Sequence, residues 1–72
     1  MWIDTGKCIR KAQEMKEITN TQMAKDFGVA RQQVHRWRTS TSMHLSKAHE
    51  FADYFGIDVF DFLVLGETEY EE

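Results

Sequence analysis

Between Asp26 and Glu50 lie 23 residues without a single carboxylate, and they carry Arg31, Arg36, Arg38 and Lys47 together with His35, His44 and His49. Four fixed cations and no anion give that stretch a local charge of +4. Such a face suits contact with a polyanion, because Lys and Arg displace condensed counterions from phosphates whereas carboxylates are repelled by them. On charge alone the competing reading is an ordinary solvated face. His44 with His49, or His49 with Asp53 at i,i+4, have a spacing that metal ligands use, but no cysteine pair or fourth donor accompanies them, so they read as surface residues. The lone Cys8 closes no intrachain disulfide, and local spacing supports no Ser-His-Asp or Cys-His nucleophile. With no glycine loop of the cofactor-binding kind either, the expectation is a protein without cofactor, metal or catalytic activity.

The elements that must position these side chains belong to one small domain. Seventy-two residues, 42% of them hydrophobic, are too few for two cores. A chain of this size buries only about 60% of its unfolded surface, so a deep substrate cleft would consume much of the core. The net charge of −3 hides a division, since Glu67, Glu69, Glu71 and Glu72 sit in the last six positions and the rest has nine basic against eight acidic residues. A folded region over 1–66 and an acidic, mobile tail over 67–72 follow. No apolar run approaches 18 residues and no signal-peptide order opens the chain, which predicts a cytoplasmic protein with no membrane partner.

Apolar residues recur at intervals of three and four, and hairpin dipeptides are absent, so the fold class is all-α with five helices. The first starts at Asp4 or Thr5 and runs to about Met15, with Ile9 and Ala12 inward and Cys8 and Met15 flanking. Thr19 caps a second over 20–26 that turns Met23, Ala24 and Phe27 to one side. Gly28 supplies a left-handed stop, and a third helix over 31–38 buries Val34 and Trp37 and leaves 31–33, 35 and 36 outside. Thr39, Ser40, Thr41 and Ser42 read as a loop. Leu45, Ala48, Phe51, Ala52 and Phe55 form the inward face of a fourth helix closed by Gly56, and Asp58 caps a fifth. Trp2 and Ile3 staple the first helix or enter an interface, with nothing to choose between them.

Two short helices joined by a glycine turn at a steep angle let the first cross a phosphate backbone while the second enters the major groove. Ala24 is small where such helices meet, Gly28 turns the chain, and Val34 with Trp37 anchors the second helix. Here the chain resembles the Cro/lambda-repressor (XRE) family of helix-turn-helix proteins. The likeness runs without a gap through Ile9-Arg10-Lys11-Ala12, Ile18-Thr19-Asn20, Met23-Ala24-Lys25-Asp26-Phe27-Gly28-Val29 and Val34-His35-Arg36-Trp37. Further on, residues 51–58 look like that family's fourth helix and the cap of its fifth. Glu17 stands where the family usually has glycine, Ala30 where it has a Ser or Thr cap, Asn20 where it has a backbone-binding glutamine, and Arg38 where glutamate is common.

The resemblance implies a compact five-helix lambda-repressor-like DNA-binding domain with its helix-turn-helix at about residues 20–38. It also implies base contacts from Arg31, Gln32, Gln33, His35 and Arg36. Arg suits guanine O6 and N7, and Gln suits adenine N6 and N7, each good pair worth about 1–3 kcal/mol of discrimination. Asn20, Gln22, Arg38, Thr39, Ser40 and His44 are the corresponding backbone-contact candidates. The small phage Cro repressors act as dimers, so a homodimer on a palindromic double-stranded operator is expected. Val59, Phe60, Phe62, Val64 and Leu65 cannot all face one small core; Val59, Phe60, Val64 and Leu65 are the dimer-interface candidates. The alternative is a protein-interaction module on the same fold, such as an antirepressor or an antitoxin or controller protein with a protein partner. In that alternative the acidic tail is the docking element; a separate expectation is that the tail folds back on the basic face and competes with DNA at low salt.

Overall fold

The computed structural model describes residues 2–68. Five helices follow one another: α1 over Thr5–Lys16, α2 over Asn20–Phe27, α3 over Arg31–Thr39, α4 over Leu45–Phe55 and α5 over Val59–Val64. Two short strands flank them, β1 over Trp2–Ile3 and β2 over Glu67–Thr68, paired antiparallel with Trp2 opposite Thr68. Sequence placed Glu67 and Thr68 with the tail and gave Trp2 and Ile3 no strand. The pairing arises because the chain leaving α5 returns beside the start of α1, where the Asp4 N–H donates to the Gly66 carbonyl at 2.8 Å. Glu69 to Glu72, the rest of the expected tail, lie outside the described residues.

Caps explain most of the helix starts. Asp4 rather than Thr5 caps α1, its carboxylate accepting from the Lys7 N–H at 3.2 Å. Thr19 accepts from the Gln22 N–H at 3.1 Å and Asp58 from the Phe60 N–H at 3.0 Å. Ala30 and His44 precede α3 and α4 with no side-chain cap. Three helices stop in the same way, with a left-handed residue followed by an N–H that reaches back five residues: Gly28 with φ 71°, Gly56 with φ 73° and Glu17 with φ 56°. The first two are glycines; Glu17 takes up a conformation that side chains disfavour.

The core draws on every helix. Cys8, Ile9 and Ala12 of α1, Met23 and Ala24 of α2, Val34 of α3, Ala48, Phe51, Ala52 and Phe55 of α4 and Phe62 of α5 are all buried. Burying each large side chain among them contributes about 1.5–3 kcal/mol. Three expectations are corrected. Leu45 is 63% exposed, because it is the first residue of α4 and lies beyond the packed turn. Cys8 and Met15 are not equivalent flanks, since Cys8 is fully buried and Met15, near the end of α1, is 56% exposed. Thr39 closes α3 instead of opening the loop, its hydroxyl donating back to the His35 and Arg36 carbonyls.

Candidate nucleic-acid interface

Phe27 and Val29 plug the turn between α2 and α3 at Gly28, where the Val29 N–H donates to the Ala24 carbonyl at 2.9 Å. Phe27 then packs edge-on against Trp37 at 5.3 Å, and both rings meet Phe51. Trp37 thus locks α3 to α4, half-buried, with Lys47 Nζ 5.1 Å from its ring. This packing leaves the start of α3 outward. Arg31, Gln32, His35 and Arg36 are exposed, and Gln33 is half-buried with its Oε1 accepting from Arg36 Nη1 at 3.4 Å.

Arg31, Gln32 and His35 are brought together with Asn20 along one shallow groove of about 310 Å³ between α2 and α3. The remaining backbone-contact candidates are more scattered. Arg38 reaches Asn20, its Nη1 donating to Oδ1 at 2.7 Å. Gln22 is turned toward its own helix, with Nε2 donating to Asp26 Oδ1 at 2.7 Å. The Thr39 hydroxyl is spent on the α3 backbone, and the Ser40 hydroxyl donates to the Ser42 carbonyl at 2.8 Å. His44 is exposed beside the first turn of α4.

A second, larger groove of about 830 Å³ runs between α1, the start of α2 and Arg38. Lys7, Arg10, Lys11 and Thr21 border it with Asn20, opposed by Glu14 and Glu17. Sequence reading had not singled out those three cations, although spacings of three and four place 7, 10 and 11 on one side of a helix. Arg10 holds the end of α3 directly, its guanidinium donating to the Arg38 carbonyl while lying 4.0 Å from the Asp4 carboxylate. Among the described residues no group of three metal-ligating side chains occurs, and no helix is long and apolar enough to cross a membrane.

A family model for the Cro/C1-type HTH DNA-binding domain matches residues 9–67. The chain belongs to that family. The match begins at the buried Ile9 within α1 and ends at Glu67, the first residue of β2, so it takes in α2 to α5 whole and α1 from its second turn, with α2 and α3 as the helix-turn-helix of a DNA-binding domain. No curated protein and no solved structure matches the chain significantly. The start of α3 is exposed and carries no carboxylate, and the aromatic packing of Phe27, Trp37 and Phe51 sets its angle.

Proposed function

We propose that this Cro/C1-type domain is a sequence-specific transcriptional regulator, a Cro-like repressor that works by occupying an operator. Arg31, Gln32, Gln33, His35 and Arg36 read base edges in the major groove, and Asn20, Arg38 and His44 set the register on the phosphates, joined by Gln22, Thr39 and Ser40 once DNA draws them from their internal bonds. The observation that carries this reading is the exposed first turn of α3, which presents Arg31 and Gln32 beside Asn20 in a helix-turn-helix of a DNA-binding family. One recognition helix spans few base pairs. Two protomers related by a two-fold axis double the readout, at half-sites about 34 Å apart, with the exposed Phe60 and Val64 at the centre of the contact and Val59 and Leu65, half-buried against the core, at its edge. Occupancy alone suffices for repression in the cytoplasm, and no chemical step is assigned.

The test is selection from a randomised duplex library at two salt concentrations, beside an Arg31→Ala/Gln32→Ala double variant. An enriched palindrome that the double variant loses is the expected result. Weak, salt-sensitive binding with no enriched motif, unaltered in the variant, would overturn it in favour of a protein-interaction module.

A further inference from the structure

Asn20 borders both grooves, and its side-chain amide can lie there in only one sense. Arg38 Nη1 donates to Asn20 Oδ1 at 2.7 Å. A guanidinium has five donors and no acceptor, so oxygen and not nitrogen must face it. Gln13 Nε2 donates to the same Oδ1 at 2.9 Å. With both bonds ending on one oxygen, Gln13 has to turn its nitrogen toward Asn20 and its own oxygen away. That oxygen is left buried and without a partner, in a residue only 5% exposed. Without the guanidinium, a flip of both amides would keep one bond between them, with Asn20 Nδ2 donating to Gln13 Oε1, so that bond alone does not choose the sense. Arg38 makes that choice, since only an oxygen can face it, and so decides that the end of Gln13 left unpaired is the acceptor.

With Oδ1 held inward, the NH₂ of Asn20 is the part of the amide left over, and among the described residues no side chain or carbonyl accepts from it. It stands at the first residue of α2, beside Thr21 and within a groove bordered by Lys7, Arg10 and Lys11. We propose that Arg38 and Gln13 are positioning residues, which pin the Asn20 amide with its donor side toward a phosphate oxygen of the DNA backbone. This rests on the DNA-binding reading above. Arg38 acts through Asn20 in addition to carrying charge, whereas a surface cation acts through charge alone.

A double-variant cycle on the selected duplex separates the two roles, with thermal melts confirming that each protein is folded. The dissociation constant is measured for the wild type, Asn20→Ala, Arg38→Ala and the pair. Arg38→Ala is expected to weaken binding at least about threefold more in the wild type than in the Asn20→Ala background. Additive losses would overturn the positioning role while leaving DNA binding intact. Asn20→Asp supplies a second check, since it keeps the inward oxygen and replaces only the outward NH₂. It is expected to melt like the wild type yet to bind about tenfold or more weakly, on operator and unrelated duplex alike. A collapsed melt would show that the oxygen does not face inward, and an unchanged affinity that the outward NH₂ meets no phosphate; either result overturns the proposal. Failure of the wild type to bind any duplex would overturn the functional reading itself, and this inference with it.

Discussion

The Gly6 N–H donates to the Ser40 carbonyl at 2.9 Å, tying the first turn of α1 to the residue that caps the end of α3. Arg10, one turn further along α1, donates to the neighbouring Arg38 carbonyl. The Arg38 carbonyl in the last turn of α3 and that of its cap Ser40 are thus satisfied by α1. The pitch of α3 is set at its far end by α1.

Glycine at position 6 permits that approach. A Cβ there would lie 2.5 Å from the Ser40 oxygen and closer still to that of Arg38, both backbone atoms that cannot swing aside. Gly6→Ala is expected to cost about 1–3 kcal/mol, a fall in melting temperature of roughly 10 °C. Circular dichroism on heating measures it. A melt indistinguishable from the wild type would mean that α1 and α3 separate at little cost.

Glu17 has the opposite problem, since its side chain has room but its backbone is left-handed with φ 56°. Gly28 and Gly56 do the same work without a Cβ. Glu17→Gly is expected to stabilise the fold by about 1 kcal/mol, and Gly28→Ala to destabilise it by about as much, because nothing lies within 4 Å of a Cβ at 28 and only the backbone term changes. Paired urea titrations of the two variants should show midpoints moving in opposite directions.

How far these features can be read from sequence depends on their range. The Gly28 turn, the Thr19 and Asp58 caps and the inward Val34 and Phe51 are local patterns, decided by residues three or four apart, and the family resemblance rests on them. Glu17 was visible as a departure from glycine, although its left-handed backbone was not. Gly6 gave no signal, because what it meets lies more than thirty residues away. Gln13 was equally silent, being a helical glutamine whose burial depends on Asn20 and Arg38 arriving from two other helices. Exposure of Leu45 escaped periodicity for a related reason, as spacing gives a face but not how far along the helix its neighbours extend.

Tyr54 links α4 to α2, its hydroxyl donating to Asp26 Oδ2 at 2.6 Å. Burial first, and then the hydrogen bond and charge of Asp26, push its pKa from 10.0 up to about 12. The folded state holds this proton more tightly than the unfolded chain, so the contribution is complete below pH 10 and is lost as pH rises toward 12. The stability advantage of the wild type over Tyr54→Phe is therefore expected to shrink across that window. Urea midpoints of both proteins at pH 8, 10 and 11 check it; a difference that stays constant would mean that Tyr54 titrates alike in both states.

Phe60 and Val64 are 73% and 61% exposed on α5, while Phe62 between them is fully buried. Their substitution therefore removes little from the core of a protomer, and surface changes of this kind usually stay within about 0.5 kcal/mol. If α5 joins two protomers, Phe60→Glu with Val64→Lys places charges against apolar surface at the centre of the contact, where unpaired charge is costly. The double variant is then expected to melt like a folded protomer, to sediment at half the mass of the wild type, and to lose operator affinity at low protein concentration. Glu at 60 is the better choice for the first turn, because an acidic residue there complements the helix dipole and keeps α5 formed. Unchanged mass together with unchanged affinity would place the contact elsewhere on the protomer, and Leu45, 63% exposed at the start of α4, is the next side chain to charge.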